Sequence, residues 1–282
     1  MPVVAHSSYA SRAARVRQLL PEGRHAASML HFYSALLNEQ EAVHGWALQL
    51  EGDPHDRDRG GDGVSALVAS IPAQALGTAF SEFVSALTPA CTTALRTSAE
   101  IILAAPLATQ ARFLQTAAAR DAVGAEEIEC EPEPLEFFLR AFLQPLAEAC
   151  LERITSDDGP ASSRVCPRCG DAPVIGVLKD ETEVKGRRYL VCSLCNEWWS
   201  FPRLQCPNCG ETDAEKLEYH VPEERSHVRL EECTSCATYI KSVDLRVDGR
   251  SDPVVDDIAT VELDVWCLER GLHKVQRNIV GM

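Results

Sequence analysis

The sequence predicts an α+β protein: an all-helical N-terminal domain, then two tandem four-cysteine β-ribbons, then a C-terminal helical segment. Three observations carry that expectation. Four Cys-x-x-Cys pairs, Cys166/Cys169, Cys192/Cys195, Cys206/Cys209 and Cys233/Cys236, take eight of the 12 cysteines, and all lie beyond residue 160. The first 155 residues are rich in alanine and leucine and contain no lysine. Between these halves, residues 155–164 (TSDDGPASSR) have the Gly/Pro/Ser composition of a linker. The expected divisions are residues 1–160 for the helical domain, 165–203 and 204–250 for the two ribbons, and 251–282 for a C-terminal helical segment returning to the core.

Within the helical half, residues 25–50 place Met29, Leu30, Tyr33, Leu36, Leu37, Val43 and Trp46 near the spacing that forms one apolar stripe on a helix. Residues 52–63 (GDPHDRDRGGDG) have no apolar side chain and read as an exposed, mobile loop. Helices are expected over 74–87, 89–104, 107–122 and 134–154, with prolines at or near their starts, where a missing N–H costs least. Pro145 falls inside the last, so a kink or two shorter helices is expected there.

The second half carries a weak repeat. Cys166-Pro167-Arg168-Cys169-Gly170 returns as Cys206-Pro207-Asn208-Cys209-Gly210, and each is followed by a second pair after 22 or 23 residues. Each gap holds two β-rich runs about a polar turn, 174–178 with 188–191 and 217–221 with 228–230. Two knuckles joined by a hairpin bring four sulfurs to the corners of a tetrahedron, the donor set of zinc or of a single iron. A tight knuckle needs left-handed backbone after its second cysteine; Gly170 and Gly210 suit it, Asn196 tolerates it and Ala237 fits worst. The expected ligands are therefore Cys166, Cys169, Cys192 and Cys195 for one ion and Cys206, Cys209, Cys233 and Cys236 for another. Redox-active dithiols, disulfides, and sharing of one ion by the two inner pairs are the rival uses of the same cysteines. Cys91, Cys130, Cys150 and Cys267 read as packing residues.

The segment after the ribbons suggests a helix over 258–270 capped by Asp257 and stopped by Gly271, with Ile258, Val261, Val265, Trp266 and Leu268 packing on the first domain. Tyr189, Trp198, Trp199 and Phe201 form either a small core beneath the ribbons or an aromatic anchor for a protein partner.

Composition excludes several roles. A chain of 282 residues with a formal charge of −15 repels polyphosphate and anionic lipid. The excess of acid is shared: −9 over residues 1–164 (12 basic, 21 acidic) and −6 over 165–282 (15 basic, 21 acidic), so neither half has the basic footprint of a nucleic-acid binder. Arg12, Arg15, Arg17 and Arg24 near the start are not followed by the apolar run of a signal sequence, and no stretch suffices to span a bilayer, so a cytoplasmic location without membrane insertion is expected. The eight histidines are dispersed, His220 and His227 read as exposed, and Glu223-Glu224, Glu231-Glu232 and Asp256-Asp257 read as solvated pairs or turn and cap residues. No nucleophile and base stand out, and four-thiolate sites leave no open position, so no enzyme activity and no catalytic residues are expected.

The residues between and beyond the knuckles carry a resemblance. Cys166-Pro-Arg-Cys-Gly with Pro173-Val174, Gly186-Arg-Arg-Tyr-Leu-Val-Cys192-Ser-Leu-Cys195 with Trp198 or Trp199, Cys206-Pro-Asn-Cys-Gly, Glu232-Cys233-Thr-Ser-Cys236 with Tyr239-Ile240-Lys241, and Asp252-Pro253 with Asp256-Asp257-Ile258-Ala259 resemble the FdhE-type formate dehydrogenase accessory proteins over about residues 165–280. In the helical half the resemblance is limited to residues 33–42 (YSALLNEQEA). It implies a cytoplasmic, non-catalytic maturation factor, a chaperone that binds the catalytic subunit of formate dehydrogenase, with two rubredoxin-like four-cysteine sites. It favours iron in those sites, with zinc as the other ion that four thiolates accept. An electron-transfer protein and a zinc-ribbon nucleic-acid-binding protein are the alternatives. Monomer and homodimer both stay open.

Overall fold

The computed structural model describes residues 7–21, 26–50, 63–120, 128–153 and 163–282. The expected 52–63 loop, apart from Gly63, and the expected linker, apart from Ser163 and Arg164, lie outside the described residues. The chain divides into two compact units: residues 32–156, and residues 1–31 together with 157–282. The expected helical domain over 1–160 differs from this division, because the first helix groups with the ribbons.

The helical unit contains α2 (Ala27–Gln49, from its residue 32), α3 (Gly63–Ser70), α4 (Ala73–Leu87), α5 (Thr93–Ala104), α6 (Leu107–Ala118) and α7 (Pro132–Glu152). The predicted α2 stripe is the buried one, with Leu30, Tyr33, Leu36, Leu37 and Val43 inside. Phe142 of α7 is the hub of the core, its ring 5.2 Å from Phe80, 5.6 Å from Phe83 and 6.4 Å from Trp46. Cys91 and Cys150 are buried here as packing residues.

Pro145 neither splits α7 nor ends it. Its ring removes the N–H that would serve the Ala141 carbonyl one turn earlier. The fully buried Gln40 of α2 supplies the missing donor: its Nε2 lies 2.9 Å from Ala141 O and 2.8 Å from Gln144 Oε1. A tertiary hydrogen bond thus replaces the local one, which sequence periodicity alone does not reveal.

The second unit is built on one sheet. Its strands are β1 (Pro173–Lys179), β2 (Arg187–Cys192), β3 (Trp198–Ser200), β4 (Leu217–His220), β5 (Val228–Cys233), β6 (Thr238–Asp244) and β7 (His273–Lys274), in the order β3-β2-β1-β6-β5-β4 with β7 also on β6. β1/β2 and β4/β5 are the two predicted hairpins. What joins them is a parallel pairing of β1 with β6, Gly176 opposite Ser242 and Val177 opposite Val243. A Cβ at Gly176 would collide with Ser242 Oγ and stand 3.2 Å from Ser242 Cβ, so any side chain here would force Ser242 to move. Val174, Ile175, Val177, Tyr189, Val191, Val228 and Val243 make a core drawn from both ribbons. Trp199 and Phe201 are buried and Trp198 is half-buried against Tyr189, so these aromatics serve mainly as core.

α1 (Tyr9–Leu19), α8 (Pro253–Ala259) and α9 (Val261–Glu269) complete this unit, with α8 packed on α1, β1 and β6. Asp252, not Asp257, caps α8: its Oδ1 accepts from Val254 N and Val255 N at 3.1 Å. Asp256 reciprocates by accepting from Asp252 N at 2.8 Å. The single helix expected over 258–270 is broken at Thr260. Lys241 Nζ, fully buried, draws the Asp257 carbonyl (2.6 Å), the Thr260 carbonyl (3.3 Å) and the Asp264 carboxylate (2.5 Å) to itself, in competition with the helix ladder. Gly271 does stop α9, at φ 77°. Val265, Trp266 and Leu268, expected to pack inward, are exposed.

Candidate metal centres

Each knuckle follows the same backbone plan. Gly170 N and Gly210 N return to the Cys166 and Cys206 carbonyls at 2.9 and 3.0 Å, closing the turn between paired cysteines. The residue after each second cysteine is left-handed, with φ of 72° at Gly170, 55° at Asn196, 85° at Gly210 and 53° at Ala237. That conformation turns amides toward sulfur: Arg168 N and Asn208 N lie 3.4 Å from Cys166 Sγ and Cys206 Sγ, and Leu194 N lies 3.4 Å from Cys192 Sγ.

The hairpins then bring the pairs together in sequence order. Cys166, Cys169, Cys192 and Cys195 form one cluster and Cys206, Cys209, Cys233 and Cys236 another, the four sulfurs of each within 4.8 Å of one another. The alternative in which the two inner pairs share an ion is not the arrangement found. In the first cluster Cys166–Cys195, Cys169–Cys192 and Cys169–Cys195 sulfurs are 3.6, 3.3 and 3.5 Å apart. In the second, Cys206–Cys236 and Cys209–Cys233 are both 3.7 Å. A disulfide would need about 2.0 Å, whereas a tetrahedron with metal–sulfur bonds of about 2.3 Å has edges of about 3.8 Å. The donor sets fit a four-thiolate ion, the second nearly at its ideal spacing and the first slightly contracted.

Electrostatics point the same way. Burial pushes the Cys192 and Cys195 thiols well above their ordinary value and Cys233 up to about 12, while Cys166 is drawn down by its sulfur neighbours, Cys169 foremost. At the second cluster burial also works to raise Cys236, but the Thr238 hydroxyl, 3.0 Å from its sulfur, and the surrounding donors bring it down to about 6. Four thiols in one shell resist ionising together, and a cation at the centre removes that resistance.

The residues around the clusters include several that sequence reading misplaced. Glu231 is not a solvated carboxylate: it is half-buried between Arg188 (2.5 Å) and Arg229 (2.6 Å), and although desolvation works to raise it, the two guanidiniums hold it below its ordinary value. Arg188 also donates to the Pro202 and Gln205 carbonyls, at 3.0 and 3.1 Å, so this side chain ties the first ribbon to the start of the second. His227 lies 2.9 Å from the buried Asp256, which also receives Arg15 through two nitrogens at 2.9 and 2.6 Å. Asp257 sits between Lys241 (3.0 Å) and Lys274 (2.8 Å) and takes Asn278 Nδ2 at 2.8 Å. Glu218, His220 and Glu232 also bring three donor atoms together, and Arg270 lies 3.8 Å from Glu232. No spacing in the sequence signals that group.

With this geometry in place, comparison with known proteins becomes informative. Residues 165–203 match the family model for the FdhE central domain and residues 204–280 that for the FdhE C-terminal domain. The crystal structure of the FdhE protein from Pseudomonas aeruginosa superposes with a TM-score of 0.72 over 99% of both chains, at 26% identity. The chain is similar to FdhE proteins in sequence over residues 165–280 and in fold along its whole length. A protein FdhE homolog of Aquifex aeolicus (strain VF5) is 36% identical over 147 residues, 52% of either chain, and one of Haemophilus influenzae (strain PittEE) is 41% identical over 114 residues, 40% of this chain and 37% of its own. The chain thus spans about half the length, or less, of these FdhE relatives at the level of sequence, while the FdhE fold extends through the helical half.

Proposed function

We propose that this chain is a cytoplasmic accessory protein that helps mature formate dehydrogenase by binding its catalytic subunit, and that each four-cysteine cluster holds one metal ion. The observation that carries the reading is the full-length likeness to an FdhE protein, with both FdhE domains matched across the two clusters. The first ion would be held by Cys166, Cys169, Cys192 and Cys195 and the second by Cys206, Cys209, Cys233 and Cys236. Resemblance favours iron, with zinc the other occupant that four thiolates accept. Bound there, either ion supplies cross-linking of a ribbon too small to hold itself by core packing, and iron adds one-electron chemistry.

A non-catalytic role is supported by the closed donor sets, which leave no coordination position for a substrate. The acidic surface suits a protein client better than nucleic acid. Among the described residues no single helix is long and apolar enough to cross a membrane.

The test is a deletion strain of a host with its own formate dehydrogenase. Loss of that activity, restored by the wild-type chain, and co-purification of the catalytic subunit with tagged protein are the expected results. Unchanged dehydrogenase activity in the deletion, with nucleic acid recovered in place of the subunit, would overturn the proposal.

A further inference from the structure

The two clusters are alike in spacing and unlike in access. All four cysteines of the first are buried, none more than 4% exposed. Trp199 is buried beside them with its Nε1 on the Ser163 carbonyl at 2.7 Å, Ser193 is tied to Asp171 at 3.1 Å, and Arg168 lies 3.9 Å from Glu197. At the second, Cys209 is exposed and Cys236 half-buried, although Cys206 and Cys233 are covered. The contacts around it are themselves at the surface: Ser235 to Glu211 at 2.6 Å, Lys216 to Glu211 at 3.4 Å, and Arg164 to the Asn208 carbonyl at 2.5 Å. On its other side a cavity of about 650 Å³ is lined by Cys206 and Cys233 along with Arg203, Leu204 and Tyr219.

We infer that the second cluster is an exchange site for a thiophilic divalent cation, opened at the Cys209–Cys236 edge, whereas the first retains its ion as a permanent cross-link. Exchange there is ligand substitution without redox change. An incoming thiolate or chelating nitrogen forms a bond to the metal, the metal–Cys209 bond breaks, and the released thiolate takes a proton from solvent. Repetition at Cys236 frees two of four ligands before the covered pair must move. The first cluster offers no such starting point, because every sulfur is enclosed. The inference rests on the metal reading above and adds that one ion is transferable.

The experiment uses the full chain loaded with zinc, whose content is measured before a chromogenic pyridylazo chelator is added in excess. Release should be biphasic, one equivalent leaving about tenfold or more faster than the other, the scale on which surrounding contacts change metal retention. N-ethylmaleimide added in parallel, with mass spectrometry of the peptides, should label Cys209 and Cys236 in step with the fast phase while Cys166, Cys169, Cys192 and Cys195 stay protected. Two equivalents leaving at one rate, or first-cluster cysteines labelled in the fast phase, would overturn the inference and leave the metal reading standing. A loaded chain that retains fewer than two equivalents would overturn both.

Discussion

Replacing Gln40 by leucine removes two buried tertiary hydrogen bonds of one amide, to the Ala141 carbonyl and to Gln144 Oε1. In the native helical unit the Ala141 carbonyl cannot be served from position 145, which is proline, and Gln40 Nε2 serves it at 2.9 Å. Leucine fills similar volume but leaves that buried carbonyl without its donor, at a cost of about 1–3 kcal/mol. Taking the middle, about 2 kcal/mol multiplies the local opening constant of α7 roughly thirtyfold. A second change separates the two bonds. In a Pro145→Ala background the new alanine N–H can close the helical bond to Ala141, so Gln40→Leu should there lose only the contact with Gln144 Oε1 and cost about 1–2 kcal/mol less than in the native background. The coupling energy of the cycle is then about 1–2 kcal/mol, well above the few tenths expected of independent sites. Amide hydrogen exchange read on peptides from 132–152 reports this unit without interference from the metal clusters. Equal costs of Gln40→Leu in the two backgrounds would refute the account of how α7 tolerates its proline.

Three further predictions concern the ribbon unit. Ala237→Gly should stabilise it by about 0.5–1 kcal/mol, since left-handed alanine costs about 1–2 kcal/mol and glycine returns part of that through the freer unfolded chain; a lower melting point in the variant would refute the strain. Gly176→Ala should cost about 1–3 kcal/mol, because its new Cβ collides with Ser242 where β1 meets β6, and melting unchanged within error would show that the junction yields freely. Asp257 titrates below its ordinary value, with burial opposing and Lys241 and Lys274 imposing the shift. A depressed folded carboxylate adds stability that is present above its unfolded value of about 3.9 and lost as pH falls through the lower folded value. The fall in midpoint below about pH 4 should therefore be shallower in Asp257→Asn than in the wild type, and identical acid slopes would contradict the assignment.

What the sequence made legible was local. Helical stripes, hairpin runs and the left-handed positions after each knuckle are set by residues within a few positions of one another, the matched cysteine gaps by a spacing that repeats, and the structure has them in place. Contacts that cross the chain were not legible. Arg15 is one of four arginines near the start with no partner apparent in the sequence until Asp256 is known to face it. The single C-terminal helix expected by its apolar spacing fails at Thr260 because a lysine from β6 takes its carbonyls. Glu231 and Asp257 look like surface acid in an acidic chain, yet each is held between two cations, Asp257 fully buried and Glu231 half-buried. Arg229 stands two residues from Glu231, but the other partners, Asp256 for Arg15, Arg188 for Glu231, and Lys241 and Lys274 for Asp257, are brought in by the fold and by no local pattern.

The bidentate contact between Arg15 and Asp256 spans 241 residues and sets an order on synthesis. During translation α1 leaves the ribosome early, but the carboxylate that receives its guanidinium follows only after the whole helical unit and both cysteine clusters have been made. At about 5–20 residues per second that interval is roughly 10–50 s. The helical unit and the first ribbon have all their residues long before then, so the strand junction and the docking of α1 are left as closing steps. A nascent chain stalled before Asp256 would keep an arginine-bearing helix without the carboxylate that receives it.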